Sequence, residues 1–139
     1  MILYLDTSAL VKLYVEEEHS QVVREWVYRA DTVACSEIAY AEVASALNRA
    51  FKEKRISKKD LNTLWETFLK DWRDLTLVLV AEEVLSLAVE LIFRHGLRAF
   101  DGLHLAAALL LARQDEVVFV AFDKKLLQAA EKEGLILPG

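Results

Sequence analysis

Met1-Ile2-Leu3-Tyr4-Leu5-Asp6-Thr7-Ser8 is the stretch on which the rest of the chain turns. Five apolar residues run unbroken into a carboxylate and two hydroxyls. A short, continuous apolar run is the pattern of a strand buried on both faces of a parallel sheet. Asp6 then stands where the strand ends, and in open α/β sheets chemistry collects outside the carboxyl ends of the strands. The same side chain can cap the following helix by accepting from its free backbone N–H groups. The two roles are compatible, so the weight falls on whether other carboxylates reach the same edge.

Val117-Val118-Phe119-Val120-Ala121-Phe122-Asp123 repeats the opening, again with helical spacing behind it, over 124–133. Between the two runs, periodicity predicts helices over 8–17, 19–30, 37–54, 58–73 and 81–95. Ser36 is placed to cap the third of these, Ser57 with Asp60 suggests a capping box on the fourth, and Gly96 stops the fifth. Strands are predicted over 31–36 and 75–80, and a last short one over 135–137. Five strands alternating with helices imply a three-layer α/β/α sandwich around a mostly parallel five-stranded sheet with right-handed crossovers.

The 139 residues are read as a single domain, since four glycines and one proline leave little for linkers. No apolar stretch reaches the ~18 residues of a membrane span, and no basic segment precedes the opening run, so the expected location is the cytoplasm. The lone Cys35 excludes an internal disulfide and reads as a small core residue. A net charge of −5 argues against a simple basic binder of nucleic acid, but an acidic metal site would itself inflate that count. Glu16-Glu17-Glu18 reads as a solvated helix end, and Lys52, Lys54, Arg55, Lys58 and Lys59 as a basic corner.

Four carboxylates stand out: Asp6 and Asp123 at strand ends, Asp101 in the first turn of a very apolar helix, and Glu42 among alanines in another. A helix that is apolar nearly all round is buried, so Asp101 lies inside the protein or on the floor of a cleft. A lone Glu among small residues is costly to bury unpaired, so Glu42 belongs at a rim or has work to do. Clustered carboxylates need shared protons or a cation. An all-oxygen set suits a hard cation, Mg²⁺ or Mn²⁺, which binds few protein carboxylates together with substrate phosphate oxygens. Such an ion can generate hydroxide, orient a phosphate and stabilise the leaving oxygen, as phosphodiester cleavage requires. His104, one turn after Asp101, is read as a core or rim histidine rather than a ligand.

With these residues in view, the chain resembles the PIN domain family and, in size, its VapC ribonuclease toxins. The motifs are Leu5-Asp6-Thr7-Ser8-Ala9-Leu10, Ala41-Glu42-Val43, Asp101-Gly102-Leu103-His104-Leu105-Ala106-Ala107-Ala108 and Phe122-Asp123-Lys124-Lys125-Leu126, in that order along essentially the whole chain. The resemblance implies an Mg²⁺- or Mn²⁺-dependent endonuclease acting on single-stranded RNA, with Asp6, Glu42, Asp101 and Asp123 as its acids. Thr7 or Ser8, with Ser8 preferred, would orient an acid or a water. Ala121 stands two residues before Asp123, where members often carry Thr or Ser. The resemblance further implies an antitoxin partner and a homodimer formed through the early helices; Tyr14, Trp26 and Trp65, where they lie outside the core, would supply the surface for the antitoxin. Two other readings compete: a PIN-like module that binds RNA or protein without cleaving, and a phosphatase phosphorylated on Asp6. The latter lacks the usual Asp-x-Asp opening, because position 8 is Ser.

Overall fold

The computed structural model describes residues 1–138. Four parallel strands, β1 (Ile2–Leu5), β2 (Thr32–Ser36), β3 (Thr76–Val78) and β4 (Val117–Val120), form one sheet in the order β3-β2-β1-β4. The helices are α1 (Thr7–Val11), α2 (Ser20–Arg29), α3 (Ala39–Lys52), α4 (Lys58–Trp72), α5 (Glu82–His95), α6 (Ala99–Ala112) and α7 (Lys124–Lys132). The expected fifth strand is reduced to one bridge, Val118 with Ile136, beyond β4. Pro138, two residues beyond Ile136, has no N–H to donate at the next position of the ladder.

Alternation along the strands divides the core in two, because successive side chains point to opposite faces. Leu3, Leu5, Cys35, Val118 and Val120 meet α1–α4 on one face. Tyr4, Ala34, Val117, Phe119 and Ala121 meet α5, α6 and α7 on the other. The predicted three layers are therefore present, and Cys35 is fully buried.

Local signals set most boundaries. Ser57 and Asp60 form the expected capping box on α4, and Gly96 ends α5 at φ +67°. Ser36 behaves differently from expectation: its Oγ accepts from the Ile38 N–H at 3.3 Å within a turn, and α3 begins only at Ala39. Glu37 leaves the helix as well, accepting the Val80 N–H on Oε2. Glu42 consequently falls in the first turn of α3. Gly102 lets α6 approach α5, since a Cβ there would lie 2.6 Å from Ile92 Cγ1 and 3.3 Å from the Ala88 carbonyl. At the same end of α5, Glu133 Oε2 accepts from Arg94 Nη1 at 2.7 Å and lies 2.6 Å from His95 Nε2, joining α5 to the end of α7.

Candidate active site

Because β1 and β4 are parallel neighbours, the residues that follow them emerge on one edge of the sheet. Asp6 is the N-cap of α1, accepting from the Ala9 N–H, and Asp123 is the N-cap of α7, accepting from the Leu126 N–H. Glu42 and Asp101 occupy the first turns of α3 and α6. All four carboxylates thus lie at helix N-termini, where the helix dipole favours negative charge by roughly 0.3–1 kcal/mol each. They line one cleft of about 860 Å³ together with Thr7, Ser8 and His104. Capping and clustering are both true of Asp6 and Asp123.

Each carboxylate is held chiefly through one oxygen. Asp6 Oδ1 accepts from Ser8 Oγ at 2.7 Å and Ala9 N at 2.9 Å. Glu42 Oε1 accepts from Thr7 Oγ1 at 2.5 Å and lies 3.0 Å from His104 Nε2. Asp123 Oδ2 takes the Leu126 N–H, which anchors the carboxylate where Ala121 offers no hydroxyl. Asp101 Oδ2 meets the Arg98 guanidinium at 3.3 Å, and the same guanidinium lies 3.8 Å from Asp123 Oδ1. Asp6 Oδ2, Glu42 Oε2 and Asp101 Oδ1 accept no hydrogen bond among the described residues.

Burial pushes the Asp6 carboxyl above its ordinary range, against the opposing hydrogen bonds from the Ala9 N–H and Ser8, with Asp101 adding repulsion. For Glu42, burial acts in the same sense but is outweighed by the hydrogen bonds from His104 and Thr7, which hold it below the usual range. Cations share the cleft: Lys12, Arg49, Arg55 and Arg98 line it. Arg55 is the one member of the expected basic corner in the cleft wall, where it pairs with Glu17 at 3.4 Å.

The donor set fits a hard divalent cation. It is all oxygen, with free carboxylate oxygens on several acids and one side-chain cation, Arg98, already seated between two of them. Among the described residues no three of the Asp, Glu, His or Cys side chains close around a single point.

The structure thus gathers all five expected site residues, Asp6, Ser8, Glu42, Asp101 and Asp123, in one cleft. Thr7 and Ser8 both serve, each on a different acid. Arg98 and Tyr4 were not anticipated. His104, expected only as a core or rim residue, is buried and in contact with Glu42.

Acids gathered at the C-terminal edge of a parallel sheet, with helices on both faces, define a class of α/β fold that comparison identifies. The PIN domain model matches residues 3–132, and the chain belongs to the PIN domain family. It is 32% identical over 136 residues to "Ribonuclease VapC45" of Mycobacterium tuberculosis, covering 96% of this chain and 92% of that one. It is 29% identical over 108 residues to "Ribonuclease VapC3" of Pyrobaculum aerophilum, covering 78% and 82%. Among solved structures, FitAcB from Neisseria gonorrhoeae superposes with a TM-score of 0.69 at 19% identity, over 99% of this chain and 96% of that one. VapC20 of M. tuberculosis, described as a sarcin-ricin loop cleaving toxin, gives 0.67 at 17% identity over 96% of each chain. These two share the fold.

Proposed function

We propose that this protein is an endoribonuclease that hydrolyses phosphodiester bonds of single-stranded RNA in a divalent-cation-dependent reaction, and that it is the toxin of a toxin–antitoxin pair. The observation that carries the reading is the convergence of four helix N-termini, each with its carboxylate, on one cleft. The ribonuclease names of its relatives support it. Asp6, Asp101, Asp123 and Glu42 would hold Mg²⁺ or Mn²⁺. When bound, the ion supplies a Lewis acid for the phosphoryl group and a place where water readily gives up its proton. Ser8 and Thr7 keep Asp6 and Glu42 in place through hydrogen bonds to one oxygen of each. Lys12, Arg49, Arg55 and Arg98 give the strand's phosphates cationic partners in a chain of net negative charge.

Labelled single-stranded RNA with Mg²⁺ or Mn²⁺ tests the reading. Cleavage is expected with either ion, none in excess chelator, and a loss of at least 10²-fold in Asp101→Asn. Cleavage that persists unchanged in chelator sinks the metal-dependent mechanism. The openness of the acid cluster favours one second reading, a PIN module that binds RNA without cutting it. RNA retention without cleavage at any concentration of either ion selects that reading.

For the antitoxin, the seat of Arg98 indicates the inhibitory chemistry, because a guanidinium fits between Asp101 and Asp123. An antitoxin segment carrying Arg into the cleft is expected to block cleavage, and the small protein encoded beside this gene is expected to co-purify. A neighbourhood with no such gene overturns the toxin assignment. Among the described residues no helix is long and apolar enough to cross a membrane.

A further inference from the structure

Tyr4 is fully buried in the middle of β1, and its hydroxyl lies 2.8 Å from His104 Nδ1. A phenol keeps its proton at neutral pH and, inside a core, must donate it. Among the described residues His104 Nδ1 is the side-chain acceptor within reach. An imidazole that accepts on Nδ1 carries its own proton on Nε2. That nitrogen lies 3.0 Å from Glu42 Oε1 and 3.2 Å from Thr7 Oγ1. His104 itself is 2% exposed, so no solvent rearrangement competes for either nitrogen. The Tyr4 ring is clamped in turn, stacked on Phe119 at 5.6 Å and edge-on to His104 at 5.9 Å.

We infer that Tyr4 and His104 are positioning residues for Glu42: the phenol selects the Nε2–H tautomer of His104, and that N–H, with the Thr7 hydroxyl, anchors Oε1 and leaves Oε2 to the cleft. The inference rests on reading Glu42 as part of the nuclease site. Its physical content is that a group buried on the α5–α7 side of the sheet sets the geometry of an acid on α3. Partners that orient a ligating carboxylate change ion affinity or activity by roughly 10–100-fold when removed.

Two measurements on the metal-free full chain and its Mn²⁺ complex decide the matter. Long-range nitrogen-15 NMR near neutral pH reports the tautomer of each of the three histidines, with His104 assigned from the signal lost in His104→Gln. The Nε2–H form is expected in the parent, and that preference is expected to weaken in Tyr4→Phe. An Nδ1–H ring, or an imidazolium, overturns the inference. Calorimetry then gives Mn²⁺ affinity for the parent, Tyr4→Phe, His104→Gln and His104→Leu. Gln offers an N–H near the position of Nε2, whereas Leu fills space only. Affinity is expected to fall about ten-fold or more in His104→Leu, with Gln recovering part of it and Tyr4→Phe between Leu and the parent. Equal affinities across folded variants overturn it; if His104→Leu does not fold, the Tyr4→Phe comparison and the tautomer still decide. A parent that binds Mn²⁺ with this ranking yet cuts no RNA refutes the nuclease reading alone. A parent that cuts RNA while Tyr4→Phe matches it in tautomer, and Tyr4→Phe and His104→Leu match it in affinity, refutes this inference alone.

Discussion

At the residue scale, Asp6 carries conflicting demands. It caps α1 and sits 5% exposed beside other acids, so the fold disfavours its charged form. Asp6→Asn keeps an oxygen for Ser8 and Ala9, and Asn caps as well as Asp. In chelator the variant is expected to melt as high as the parent or a few degrees higher. If Mg²⁺ binds as proposed, then at about 100 times its Kd the parent is expected to gain about 2.7 kcal/mol and the variant less. Thermal melts in the two buffers check this, and a variant that melts below the parent in chelator counts against it. Glu133 shows the opposite sign, away from the cleft. Burial raises its pKa, but the hydrogen bonds from Arg94 and His95 prevail and hold it below the ordinary value. A carboxylate lowered in the folded state stabilises fully above its unfolded pKa, and that contribution is lost as pH falls through the folded one. Arg94 is half exposed, so its share is discounted and Glu133→Gln is expected to cost about 1 kcal/mol near neutrality. Denaturant melts from neutral to acid pH are expected to show the gap closing below about pH 4.5; a constant gap would refute the ionic origin. Asp6 and Asp123 were legible because an apolar run ending in Asp is a local pattern. Tyr4 was not, because its role depends on His104, which the fold brings to it from 100 positions away, and Arg98 was not, because its place between Asp101 and Asp123 depends on how α6 meets the end of β4.

At the scale of elements, α6 is the piece whose placement matters most. It brings Asp101 to the cleft in its first turn and His104 one turn later. Its depth is set by Gly102. Ala in place of Gly gains about 1 kcal/mol of helix propensity. Against this stands a Cβ at 2.6 Å from Ile92 Cγ1, on a branched side chain with restricted χ1, and a backbone carbonyl that bars escape. Overpacking costs about 1–3 kcal/mol, so the clash prevails. Gly102→Ala is expected to lower Tm by roughly 3–5 °C per kcal/mol lost and to reduce cleavage by moving Asp101. The loss is expected to be smaller in an Ile92→Val background, and a full-sized loss there refutes the contact with Ile92. Element existence was readable from period and caps. The failures came where a proline stopped the pairing, as after 135–137, or where a side chain chose a turn over a cap, as Ser36 did. Tyr14, Trp26 and Trp65, the candidate partner surface, are each partly buried against the α1–α4 face of the core, with Tyr14 donating to Asp71 and edge-on to Phe68 and Trp65 edge-on to Tyr40. Helical spacing marks apolar faces without saying which neighbour covers them.

At the scale of the molecule, the homodimer stays a proposal, and the exposed apolar residues of the early helices are Val22 and Tyr28 on α2. Tyr28→Glu is expected to convert a dimer to a monomer by light scattering at micromolar concentration; a parent that is already monomeric removes the idea. A different consequence follows from the strand order. β1 is the first strand made and β4 the last, yet they are hydrogen-bonded neighbours, and the four acids are drawn from positions 6, 42, 101 and 123. During synthesis, β1 waits with one edge open, and the cleft lacks its final wall, until β4 and α7 have left the ribosome. On the endoribonuclease reading proposed above, a nascent chain is expected to cut no RNA until residues 117–132 have been made, so the strand order would delay activity toward the message being translated. Chains ending before residue 117 are expected to be unfolded and without nuclease activity, and an active truncated chain would refute this consequence of the topology.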